Sequence, residues 1–229
     1  MCFGLYNLQK CSVMLFTDFQ DSLWENESQI LAFSGKKWLV GVDEVGRGCL
    51  AGPVIAVAIS FKERPIMLKV KDSKKVSAKQ REILLSDILA FKPYLGIAFC
   101  SAKVIDRINI LNATKQAMQL AVRRCVNSMS ALRTTDIEIC IDGNFAIPLQ
   151  QEYTQVSVVK GDSLIASVAA ASIVAKVTRD RYMTSLNRFF PDYRFSQHKG
   201  YGTTQHYREI QQNGITSYHR RSFLQGIAS

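Results

Sequence analysis

A chain of 229 residues holds one generous domain, or one domain with appendages; 47% hydrophobic and 10% aromatic residues supply a substantial core and exclude wholesale disorder. Its 29 Lys+Arg against 19 Asp+Glu leave a formal charge of +10, which favours an anionic partner, nucleic acid or a membrane surface, without choosing between them. The 6 cysteines form no C-x-x-C pair and the 3 histidines have no cysteine at ligand spacing, so a disulfide framework and a zinc site are both disfavoured.

Residues 1–36 mix aromatic and polar side chains without a sustained period. They read as a loosely attached tail or one short helix around Asp18 to Ile30, with no chemistry of their own, and Ser34-Gly35-Lys36-Lys37 reads as the linker out of them. Trp38 to Val42 is a short strand that ends in two adjacent acids, Asp43 and Glu44, followed by Gly46, Arg47 and Gly48 and the turn Gly52-Pro53. Val54 to Phe61 is apolar throughout, as in a central strand. A basic loop, Val70 to Lys75, precedes a helix capped by Ser77 with Leu84, Leu85, Ile88 and Leu89 at helical spacing. Tyr94 to Cys100 is a strand, Val104 to Ile108 a helical turn, and Ala113 to Met129 a long amphipathic helix. In Thr135 to Asp142, Ile137, Ile139 and Ile141 share one face, which puts Glu138, Cys140 and Asp142 on the other. Tyr153 to Val159 is a further strand, leading through Lys160-Gly-Asp162-Ser163 into an apolar helix from Leu164 to about Arg188. Its most apolar part, Leu164 to Val177, is broken by Ser167, Ser172 and Lys176 and falls short of a membrane span. Beyond Pro191 the chain turns basic and polar, with a helix over Thr204 to Gln212. With no basic leader or small-residue cleavage site at the N-terminus, the expectation is a soluble cytoplasmic protein, monomeric by default.

Asp43, Glu44, Asp142 and Asp162 all lie at or just past the end of an apolar strand, where ligand sites collect in open α/β sheets. Carboxylates converging there repel one another unless a cation intervenes, and their hard oxygens suit Mg²⁺ or Mn²⁺. Each also has a plainer role: Asp142 as a turn aspartate before Gly143-Asn144, Asp162 as a helix N-cap. Glu44 and Asp43 point to opposite faces of an extended strand, so both reach one site only if the chain bends after Asp43, which Gly46 and Gly48 make easy. Asp180 is read as a salt-bridge partner rather than a ligand. Arg47, Lys71, Lys74 and Lys75 suit a phosphate backbone, Tyr201 a sugar or base, and His198 and His219 either proton transfer or structural hydrogen bonding.

Taken together the blocks resemble a bacterial ribonuclease HII, a type 2 ribonuclease H, from about Trp38 to Gly226. They are Asp43-Glu-Val-Gly-Arg-Gly48 with Leu50-Ala-Gly-Pro53, Asp72-Ser-Lys-Lys75, Ile108-Asn-Ile-Leu111, Ile141-Asp-Gly-Asn144, Val159-Lys-Gly-Asp162, Ala169 to Asp180, His198-Lys-Gly-Tyr201 and His219-Arg-Arg-Ser-Phe223. The resemblance implies an α/β fold of ribonuclease H type, a mixed central β-sheet flanked by helices with a helical C-terminal extension (about 189–229), on a catalytic domain of 37–229. It implies that Asp43, Glu44, Asp142 and Asp162 bind two Mg²⁺ or Mn²⁺ ions. Gly46, Arg47 and Gly48 would read the ribose 2′-hydroxyl, and Tyr201 the deoxyribose on its 3′ side, with Lys74 and Lys75 assisting binding. The implied activity is endonucleolytic cleavage of RNA in RNA–DNA hybrids and at single ribonucleotides in duplex DNA, by two-metal-ion hydrolysis leaving 3′-hydroxyl and 5′-phosphate ends. Its implied role is removal of such ribonucleotides and of RNA primers. Cys49 stands where that family usually has proline, which predicts a slightly looser loop after Gly48. A non-catalytic nucleic-acid binder and a nuclease for plain or branched DNA are the competing readings, separated by whether a divalent metal is needed and which duplex is cut.

Overall fold

In the computed structural model the described residues are the backbone of 11–13 together with 22–65, 76–129, 132–150 and 153–226. Lys71, Lys74 and Lys75 lie outside them. Six strands form one sheet in the order β1-β6-β5-β2-β3-β4. They are β1 (Cys11–Val13), β2 (Trp38–Val45), β3 (Val54–Ser60), β4 (Tyr94–Cys100), β5 (Ile137–Asp142) and β6 (Thr154–Val158). The first four in that order run parallel, and β3 is antiparallel to its two neighbours, β2 and β4, which makes the sheet mixed. Among the described residues six α-helices accompany it: α1 (Leu23–Ser34), α2 (Ala78–Ala90), α3 (Ala102–Ser128), α4 (Ala166–Leu186), α5 (Phe195–His198) and α6 (Thr204–Asn213).

The alternation in β5 sorts the two faces. Ile137, Ile139 and Ile141 join Val40, Val42 and Ala56 against the apolar side of α3, including Ala117, Ala121 and Cys125. Cys140 turns the other way, into a cluster with Leu39, Val156, Ile165 and Val168 that also receives Ile30 of α1. Val57 and Ile59 pack on the same side against Ala170, Ile173 and Val174 of α4. β3 is buried along its whole length, as its unbroken apolar run requires of a strand covered on both faces. A separate C-terminal cluster of Leu50, Met183, Tyr193, Phe195 and Ile210 fastens α5 and α6 to the loop after β2.

Local signals account for most element ends. Ser77 and Gln80 form a reciprocal capping box at α2. Asn109, at φ 63°, splits α3 into a short and a long helix, and its side chain caps the second by accepting from the Asn112 N–H at 3.0 Å. At α1, Ser22 caps the start and Gly35, left-handed at φ 67°, ends it. The N-terminal stretch is therefore not simply a tail: α1 packs on the core through Ile30, and β1 pairs in parallel with β6.

Two expectations are corrected. The chain does not bend after Asp43; β2 continues through Glu44 to Val45, paired residue by residue with β3. Nor is the loop after Gly48 loosened at Cys49, which is buried and bridges to Tyr201, while the N–H groups of Leu50 and Ala51 donate to the Gly200 carbonyl at 2.8 and 3.3 Å.

Candidate active site

β2 and β5 run side by side with Val42 opposite Ile141, so the next residues, Asp43 and Asp142, emerge together on the α4 side of the sheet. β5 ends there, whereas β2 goes on past it. Glu44 thus has no neighbouring strand on its β5 side, and it reaches the same cleft without a bend. That cleft, about 320 Å³, is lined by Asp43, Glu44, Arg47, Asp142, Ser172 and Tyr201, with Arg81 and Lys176 also on its wall.

Asp43 is almost fully buried; its Oδ1 accepts from the Glu44 N–H at 2.7 Å, and the Ser172 hydroxyl of α4 donates to its carboxylate. Burial pushes the Asp43 carboxyl well above its usual range, and the charges of Glu44 and Asp142 push it further. Burial likewise raises Glu44; Arg47, ion-paired to it at 3.4 Å, opposes this, and Asp142 adds to it. Asp142 Oδ1 accepts from the Gly161 N–H at 2.7 Å. Asp162 follows on the same turn, buried at 3% exposure and outside the cleft lining. The N-cap position of α4 belongs to Ile165, so Asp162 is not its cap.

The donor set fits a hard divalent cation. In this partly desolvated cleft Glu44 and Asp142 raise the pKa of Asp43, and Asp142 raises that of Glu44, a cost that a cation removes and that hydrogen bonding to Ser172 and the Glu44 N–H offsets only in part. Among the described residues no three metal-ligating side chains are already gathered closely enough to form a coordination shell. Electrostatic coupling acts over longer distances than a ligand bond, so the two observations are compatible.

The loop after β2 is held by two arginines that the sequence reading left without a role. Arg220, fully buried, donates to the carbonyls of Gly46 at 2.6 Å, Arg47 at 2.7 Å and Gly52 at 2.9 Å. Arg179 of α4, also fully buried, donates to Ala51 at 3.1 Å, Pro53 at 3.2 Å and Lys199 at 2.8 Å. Gly46 takes φ 93°, and a Cβ there would stand 2.3 Å from Arg179 Nε, so the position requires glycine on both counts. Burial lowers the Arg220 pKa to about 10, which still leaves it charged at neutral pH. Arg47 itself points outward, its guanidinium 5.7 Å from the centre of the Phe145 ring. Tyr201 is 38% exposed, with Lys176 and Arg179 each 5.5 Å from the centre of its ring. Asp180 pairs with Lys176 at 2.9 Å and with Arg81 at 3.9 Å, a salt-bridge role as read from the sequence. Ser172, Lys176 and Arg81 are the lining residues that reading missed; no local pattern distinguishes them from other helix residues. Among the described residues no helix is long and apolar enough to cross a membrane.

Comparison with known proteins places these features in one group. The sequence model of the family described as Ribonuclease HII matches residues 40–225. The Ribonuclease HII of Ruminiclostridium cellulolyticum is 45% identical over 194 residues, covering 84% of this chain and 72% of that protein. That of Caldicellulosiruptor bescii is 40% identical over 209 residues, covering 91% and 97%. The crystal structure of the ribonuclease H2 from Pyrococcus horikoshii superposes with a TM-score of 0.64 at 26% identity, covering 83% of this chain and 97% of that one.

Proposed function

The chain belongs to the ribonuclease HII family and is a ribonuclease H with the fold of that group, and from this premise we propose how its own residues serve the reaction. The substrates are RNA–DNA hybrids and duplex DNA carrying single ribonucleotides, cut within the strand to leave 3′-hydroxyl and 5′-phosphate ends. The observation that carries the reading is the meeting of Asp43, Glu44 and Asp142 in a cleft whose rim holds Arg47 and Tyr201.

Asp43, Glu44, Asp142 and Asp162 would hold two divalent ions, Mg²⁺ or Mn²⁺. When bound, such ions supply Lewis-acid activation of water and charge neutralisation at the attacking and leaving oxygens of an in-line displacement. The chain does the orienting. Ser172 and the Glu44 N–H fix the Asp43 carboxylate, and the Gly161 N–H fixes that of Asp142. Asp162 would join them from the turn at 161–163, next to the Gly161 N–H that holds Asp142. The Gly46-Arg47-Gly48 backbone, clamped from behind by Arg220, meets the ribose 2′-hydroxyl, the group that separates RNA from DNA. A flexible loop could not discriminate a single hydroxyl, so the clamp belongs to specificity. Tyr201 packs on the deoxyribose that follows, and Lys74 and Lys75 contact the phosphate backbone. The protein acts as a monomer in the cytoplasm, removing ribonucleotides from DNA and RNA primers.

The test is incubation of the purified chain with a duplex holding one ribonucleotide, and with an RNA–DNA hybrid, in Mg²⁺, Mn²⁺ or EDTA. Incision in metal and none in EDTA is expected. Asp142→Asn is expected to lose more than the roughly 10–100-fold typical of removing a group behind the ligands, while still binding hybrid. Full activity of that variant in Mg²⁺ would sink the assignment.

A further inference from the structure

The family match begins at residue 40, which leaves α1 outside it, yet α1 makes two polar contacts with the segment that carries the site. Asn26, 1% exposed, donates through Nδ2 to the Leu164 carbonyl at 2.9 Å. Glu27 accepts through Oε2 from the Ser167 N–H at 2.8 Å. These contacts bracket residues 164–167, the junction between the turn bearing Asp162 and the helix bearing Ser172.

The junction needs an outside partner. The N-cap of α4 is Ile165, whose side chain caps nothing, so the free N–H groups of the first turn have no local acceptor from that residue. Glu27 supplies one from another helix, and it brings an acidic group to the positive end of α4. What the junction positions is specific. Upstream, Gly161 holds Asp142 by its N–H at 2.7 Å, with Asp162 next in line. Downstream, Ser172 holds Asp43. Between them the Ser167–Val168 backbone lies against Gly41, where an added Cβ would be 2.4 Å from Ser167 C and from Val168 N. A shift of the junction therefore moves the supports of Asp43 and Asp142 together with Asp162 itself.

We propose that α1 is a brace for the metal-binding acids, with Asn26 and Glu27 as positioning residues that set the spacing of Asp142 and Asp162 relative to Asp43. The proposal rests on the metal-binding role given to those acids above. The full chain and its Glu27→Ala, Glu27→Gln and Asn26→Ala variants are compared by Mn²⁺ titration followed by electron paramagnetic resonance, by thermal melting, and by kcat and KM on the hybrid. Glu27→Ala is expected to weaken Mn²⁺ binding and lower kcat by about tenfold each, with KM within about twofold of wild type. Glu27→Gln, whose amide oxygen still accepts from Ser167, is expected to stay within about threefold of wild type on all counts. Asn26→Ala should move in the same direction as Glu27→Ala and decides the matter if the latter does not fold. Unchanged Mn²⁺ affinity in both alanine variants, whatever happens to their melting temperatures, would overturn the brace. A wild type that binds Mn²⁺ but cuts neither duplex would instead overturn the functional reading while leaving the brace to be judged by the metal titration alone.

Discussion

His206 and His219 are buried side by side beneath the 198–203 segment, with their Nε2 atoms 3.1 Å apart and the ring of His198 stacked on that of His206 at 4.1 Å. His206 Nδ1 lies 2.9 Å from the Tyr201 carbonyl, and His219 Nδ1 accepts from the Thr216 N–H at 2.9 Å. These are the contacts of a structural cluster that supports the backbone of Tyr201, and for His219 they match the hydrogen-bonding alternative. Burial lowers both pKa values to about 4 from an ordinary 6.5. Between those values the unfolded chain binds more protons than the folded one, so the histidines' contribution is complete above pH 6.5 and is lost as the pH falls toward 4, on the order of 3 kcal/mol each. A buried acid with a raised pKa, such as Glu27 at about 7, works in the opposite sense over the same range. The informative measurement is therefore a difference: His206→Gln should melt below wild type at pH 7.5, and the gap should narrow by pH 5. A constant gap across that range would refute the assignment.

At the scale of elements, the pairing of β2 with α4 does most to place the acids. Gly41 is what lets the backbone of α4 come down onto the strand two residues before Asp43. Gly41→Ala is expected to cost about 2 kcal/mol by overpacking, read from urea unfolding, and to reduce cleavage through the displaced Ser172. Wild-type stability in that variant would mean the contact is looser than described. Element boundaries were largely legible, because caps and apolar periods are local: Ser77, the alternation of β5 and the unbroken run of β3 each mark their own element. The bend expected after Asp43 is absent for a non-local reason, although Glu44 still lines the cleft. Its access to the cleft comes from where the neighbouring strand stops, and nothing near Glu44 in the sequence carries that information.

For the whole molecule, the charge of +10 exceeds what Arg47, Arg81 and Lys176 bring to the wall of the acid-bearing cleft, so most of the excess is carried elsewhere on the chain. Binding to a hybrid, measured with Ca²⁺ or with Asp142→Asn to prevent cutting, should weaken by at least about tenfold between 50 and 200 mM salt through counterion release. Salt-independent binding would remove the basic surface from the account. By itself the sequence determined the residue types and their local settings: acids at strand ends, a glycine-rich loop beside them, and apolar periods that make strands and helices in this order. It determined the family too, since those blocks occur together. Only the tertiary structure decided which buried groups hold the loop and the acids in place. Arg220 finds the Gly52 carbonyl 168 residues earlier in the chain, and Glu27 finds the Ser167 N–H 140 residues later. Backbone carbonyls and N–H groups are the same at every position, so a sequence cannot show which of them a distant side chain will satisfy; packing alone selects the pair.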